Sequence, residues 1–139
     1  MAGRVLRLTN VGGRSCALAR RPRFELVDKR GALPYVTRYN ERCVWLCRPQ
    51  DKRVRQSRTI VVKPRMSVYL GFDQYRCDLG AKRYALSARV VVSPTASLSA
   101  LLIKIPTDPV FAYCGKGDPG SILRVSPFEA KYRAAVMRM

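Results

Sequence analysis

Apolar residues recur at every second position in several short runs of this chain, each closed by Gly, Pro, Asn or Asp. That period is the pleat of a half-buried strand, with one face dry and the other wet. Leu6 and Leu8 alternate with Arg7 and Thr9 before the turn-forming run NVGGRS. Phe24 and Leu26 alternate with Arg23 and Glu25 and stop at DKRG. A third run, TIVV from Thr59 to Val62, ends at Lys63-Pro64, where proline presets the turn dihedral. Val68, Leu70 and Phe72 form one face of the next run. RVVV (89–92), LLIKI (101–105) and ILRV (122–125) complete a set of about seven to eight strands. The tail EAKYRAAVMRM alone has helical composition, and its terminal position predicts fraying.

Short strands with turn chemistry between them predict an all-β fold, a single antiparallel β-sandwich. One segment breaks the rhythm. RYNERCVWLCRPQDKRVRQSR, from Arg38 to Arg58, lacks the strand period and carries the single Trp, so it predicts a long loop leaving the sheet. The expected organisation is a β-sandwich domain over 1–130 with a basic excursion at 38–58, then a C-terminal tail at 131–139.

Charge changes this picture most. The chain has 139 residues, 27 Lys+Arg against 9 Asp+Glu, and a formal net charge of +18. Such an excess favours polyanions: nucleic acid, anionic lipid headgroups or acidic cell-wall polymers. The alternative is a charge that is merely solvated at the surface, since net charge bears on association and not on fold. From Arg42 to Arg65, the cations Arg42, Arg48, Lys52, Arg53, Arg55, Arg58, Lys63 and Arg65 stand against one acid, Asp51, with Trp45 and Tyr39 nearby. Cations that contact phosphates and aromatics that stack would make this segment, 38–65, a polyanion-binding loop. It carries no ribonucleoprotein aromatic motif, zinc finger or helix-turn-helix pattern.

The residues for catalysis are sparse. There is no histidine, which removes Ser-His and Cys-His pairs and the commonest general base. The acids are scattered singly, apart from Asp73 and Asp78 on either side of Cys77. Carboxylates beside a thiol oppose the thiolate and Arg76 favours it, so Cys77 is a poor nucleophile, and its other roles are metal ligand or bridge partner. GKGDPG (115–120) matches G-x-G-x-x-G formally, but Pro119 and a strand pattern follow where a dinucleotide loop must open a helix, which leaves a turn. CVWLC (43–47) spaces two thiols without the second pair that structural zinc needs, and reads as a local disulfide or two thiols. No enzyme, cofactor, metal site or small-molecule substrate is expected. No apolar run reaches the roughly 18 residues of a membrane helix. MAGRVLRLTN runs directly into a strand pattern without an apolar signal region, which by itself predicts a cytoplasmic location.

Three segments taken together resemble a known family. VLRLTNVGGRSCAL, followed by RP, FEL and D-x-R-G, is similar to the opening of a family of secreted or lipid-anchored actinobacterial domains of unknown function. VVKPRMSVYLGFDQYRCDLG resembles that family's strand, proline turn, strand and Tyr-Arg-Cys element. FAYCGKGDPGSILRVSPFE resembles its closing Tyr-Cys, Asp-Pro-Gly turn and Val-Ser-Pro strand. The resemblance spans about residues 4–130, and the segments around Cys77 and Cys114 are its most specific part. It implies an immunoglobulin-like β-sandwich outside the cytoplasm, with Cys77 bridged to Cys114. The chain departs from the family at Arg20-Arg21, where the family has Gly-aromatic, and at Pro64-Arg65, where it has Pro-Gly. The CVWLC pair is a further departure. The family's export signal and first strand are missing from this sequence, so that either its start lies further upstream or the copy is degenerate, and a missing strand that held a partner for Cys16 would leave that thiol unpaired.

The expected function is therefore a non-catalytic binding or structural module of the bacterial cell envelope. Its partners would be an anionic polymer, a membrane surface or an unidentified protein. The alternative is an intracellular basic protein that binds nucleic acid through the same Arg-rich segment.

Overall fold

In the computed structural model, described for residues 2–43, 46–52, 57–93, 100–108 and 110–139, the alternating runs become strands in chain order. These are β1 (Ala2–Thr9), β2 (Cys16–Ala19), β3 (Arg23–Asp28), β4 (Gly31–Ala32), β5 (Val36–Tyr39), β6 (Thr59–Val62) and β7 (Ser67–Gln74). β8 (Arg83–Tyr84), β9 (Ser87–Val91), β10 (Ala100–Lys104), β11 (Ala112–Tyr113), β12 (Ile122–Val125) and the helix α1 (Tyr132–Met137) follow. The fold is all-β.

Two four-stranded sheets, β1-β7-β12-β5 and β10-β9-β3-β4, make the body, with two-stranded pairs β2-β6 and β8-β11 beside them. Register follows the alternation. Leu6 and Leu8 lie opposite Leu70 and Val68, so the apolar members of β1 and β7 share one face. Phe24 and Leu26 lie opposite Val90 and Ala88 in the other sheet. The two inner faces meet as a sandwich: Phe72 packs on Phe24 at 4.8 Å between ring centroids and on Phe111 at 4.9 Å. Phe72, Leu70, Leu26, Val90, Leu123 and Val125 are all fully buried. Burying a side chain of that size stabilises by roughly 1.5–3 kcal/mol relative to leaving it exposed.

Two features depart from the expected antiparallel set. β12 pairs in parallel with β5, Ile122 opposite Val36 through Val125 opposite Tyr39, while it pairs antiparallel with β7. The chain reaches β5 by the β4–β5 connection, not by a hairpin, so its direction is free of the tight-turn constraint. The C-terminal segment, expected to fray, instead forms α1 and packs on β7 and β1, burying Ala135, Met137 and Arg138. Gly71 makes room for it: a Cβ there would lie 2.5 Å from Met139 Cγ and 2.8 Å from the Ala135 carbonyl oxygen. No helix among the described residues is long and apolar enough to cross a membrane.

Candidate functional site

The Arg-rich excursion leaves the end of β5 and returns into β6, and both of its roots are fastened to the sandwich. Tyr39 donates its hydroxyl hydrogen to the Pro22 carbonyl, and the Asn40 amide donates to Val125 O at 2.9 Å. Glu41 pairs with Arg21 and accepts, at its main-chain oxygen, a hydrogen bond from Arg138 Nε at 3.0 Å. At the returning root the Arg20 amide donates to Arg58 O at 2.9 Å. Between the roots, Cys43 and Cys47 form a disulfide across a sequence separation of 4. Arg133 of α1 donates from Nη2 to Leu46 O at 3.2 Å, so the bridged loop rests against the helix. Residues 49–52 form one 3₁₀ turn.

Anchoring the roots leaves the cations outward. Arg42, Arg48 and Arg58 are exposed, as are Arg38, Lys63 and Arg65. Trp45, Arg53 and Arg55, with the Lys52 side chain, fall outside the described residues. Arg65 holds a left-handed backbone, φ 65°, in the turn closed by Met66 N donating to Lys63 O at 3.0 Å. Glycine is the residue that fits such a position without steric cost.

The carboxylates are spent elsewhere. Glu25 pairs with Arg89 directly opposite it on β9, and with Arg23. Arg83 holds Asp28 through two bonds of 2.7 and 2.6 Å and draws its carboxyl down to about 2. Arg124 grips Asp73, donating from Nε at 2.7 Å, and lies over the Tyr75 ring at 4.6 Å. Arg138 faces Glu129 at 3.5 Å, both side chains nearly fully buried. Burial pushes the Asp118 carboxyl up, but amides of Leu79, Gly120 and Asp78 donate to it and the net shift is downward. Arg38, Arg42, Arg58, Lys63 and Arg65 have no ion pair among the described residues. Sequence reasoning missed these pairings; Glu25–Arg89, Asp28–Arg83 and Asp73–Arg124 join elements far apart along the chain.

Around Cys77 the geometry is architectural. Cys77 is bonded to Cys114, 37 residues away, and Cys114 is fully buried. Asp73 and Asp78 do not form a pair: Asp73 sits inside β7 against Arg124, and Asp78 is an exposed residue whose amide donates to Asp118. The GKGDPG run turns through Lys116-Gly117 and closes in a short 3₁₀ turn capped by Asp118. Cys16 is an exposed thiol beside an apolar groove of about 380 Å³ lined in part by Leu8, Leu18, Val62 and Leu101. No group of three or more metal-ligating side chains gathers among the described residues.

Comparison with protein-family models, with curated proteins and with solved structures returned no match.

Proposed function

We propose that this protein is a non-catalytic binding module of the bacterial cell envelope that contacts anionic polymers through the excursion from Arg38 to Arg65. One observation carries the reading. Five of the nine acids are held in ion pairs with arginines, four in the sandwich and Glu41 at the root of the excursion, while Arg38, Arg42, Arg58, Lys63 and Arg65 are exposed and have no ion pair among the described residues. A surface whose positive charge is not neutralised at home gathers counter-anions, and releasing them to a polyanion drives binding.

Two disulfides support an oxidising compartment over the cytosol, where thiols are kept reduced. They weigh against the nucleic-acid alternative, which needs the same loop inside the cell. The resemblance to secreted actinobacterial domains and the stacked sheets support reading the sandwich as immunoglobulin-like.

The test is retention on beads carrying polygalacturonate or polyphosphate, against neutral dextran and duplex DNA. The protein is expected to bind both envelope-type polyanions at low salt and to ignore dextran. Replacing Arg42, Arg48 and Arg58 together by Gln should weaken binding roughly tenfold or more at physiological salt. Absence of binding to either polyanion at low salt would refute the reading, and a strong preference for DNA would transfer it to the nucleic-acid alternative.

A further inference from the structure

The two bridges differ in access, one of the properties that govern thiol–disulfide exchange: Cys77 is partly exposed and follows the exposed Arg76, but its partner is buried. Cys77–Cys114 joins distant parts of the chain, and Cys114 is sealed in the core, with no room above its sulfur: a Cβ on Gly120 would lie 2.7 Å from it. Cys43–Cys47 closes a loop of a few residues on the surface, with both cysteines partly exposed. Exposed arginines flank it directly in the chain, Arg42 before Cys43 and Arg48 after Cys47. Within the loop, Leu46 is held at φ 47°, a left-handed conformation that leucine rarely adopts. Exposed bridges are the ones that exchange, and neighbouring guanidinium groups favour thiolate over thiol in the leaving sulfur.

We propose that Cys43–Cys47 is an exchangeable disulfide that accepts two electrons from a dithiol partner while Cys77–Cys114 stays closed. A partner thiolate attacks one sulfur of the pair, a mixed disulfide forms, and the other cysteine, next in sequence to Arg42 or Arg48, leaves as a thiolate. The partner's second thiol loses its proton to solvent, attacks the mixed disulfide and releases the remaining cysteine. The partner ends as a disulfide and this chain as two thiols, the protons given up by the partner balancing those taken up. Opening the bridge also frees the loop that Arg133 holds at Leu46 O, so the redox state of the pair reaches α1. The inference concerns the loop's chemistry and stands apart from polyanion binding.

The experiment uses the full-length oxidised protein and dithiothreitol as the dithiol. Samples are quenched in acid at intervals, alkylated and mapped by mass. Cys43 and Cys47 are expected to open at least about tenfold faster than Cys77 and Cys114. The double substitution R42Q/R48Q should slow that opening about threefold, and R42K/R48K should keep the original rate. Equal rates at the two bridges, or an unchanged rate in R42Q/R48Q, would overturn the proposal. Should the variants fail to fold, the comparison of the two bridges in the unaltered protein still decides the proposal.

Discussion

Arg138, the penultimate residue, donates from Nε to the main-chain oxygen of Glu41 at 3.0 Å, joining the C-terminal helix to the root of the basic excursion. The same guanidinium faces Glu129 at 3.5 Å, where both side chains are buried. Replacing Arg138 by Met would remove the guanidinium that faces the buried Glu129 carboxylate, a loss of about 3–5 kcal/mol. Urea unfolding should show the lower midpoint, and trypsin should cut within 42–58 sooner than in the parent. Adding Glu129→Leu to Arg138→Met should recover much of the stability, because the buried carboxylate is then gone together with the guanidinium that faced it.

Gly71 is the contact point between β7 and α1. An alanine methyl would meet both the Met139 side chain and the Ala135 carbonyl. The side chain can move and the carbonyl cannot without displacing the helix. Gly71→Ala is therefore expected to cost about 1–3 kcal/mol, in the range of other overpacking changes. Thermal denaturation followed by near-ultraviolet circular dichroism checks it.

The disulfides should contribute unequally. Chain-entropy reasoning gives about 4 kcal/mol for the bridge of separation 37 and about 2 kcal/mol for that of separation 4. The pair of substitutions C77A/C114A should thus lower stability more than C43A/C47A in guanidinium titration. Intact, unreduced protein should take up a single alkylating label, at the exposed Cys16.

Acid should weaken the fold through its carboxylates. The Asp28 carboxyl lies at about 2 in the folded chain against an ordinary 3.8, because Arg83 hydrogen-bonds it. Burial opposes the shift at Glu25, yet Arg89 and Arg23 carry it downward, and Asp118 is lowered likewise by its amide donors. A depressed folded value means stability that is present above the unfolded value and lost as pH falls through the folded one. Stability should therefore decline from about pH 4 toward pH 2. Asp28→Asn should flatten that decline, measured by urea unfolding at each pH.

Local pattern was enough for the main strands. TIVV and ILRV coincide with β6 and β12, and Val68, Leu70 and Phe72 occupy the core face of β7. Alternation reports one buried face, as in β6, β12 and the start of β7; from Leu70 to Gln74 both faces of β7 are buried. β4, β8 and β11 have two residues apiece, too few to show a period. The parallel β5–β12 pair and the ion pairs Asp73–Arg124 and Asp28–Arg83 join residues 50 or more positions apart, or rest on a partner that only the assembled sheet selects. The helical composition of the tail was legible, but its burial was not, because that depends on a missing side chain at Gly71. For the candidate site, the charge of 38–65 stood in the sequence; the fastening of its roots by Tyr39, Asn40, Glu41 and Arg58 did not.

The most direct measurement of the central claim is the salt dependence of binding to a soluble polyanion such as polyphosphate. The logarithm of the association constant is expected to fall linearly with the logarithm of salt concentration in the parent protein. With Arg42, Arg48 and Arg58 replaced by Gln, the slope should become shallower by up to about one unit for each cation that contacts a charge. A slope that is unchanged by those replacements, or binding that does not depend on salt, would contradict the account.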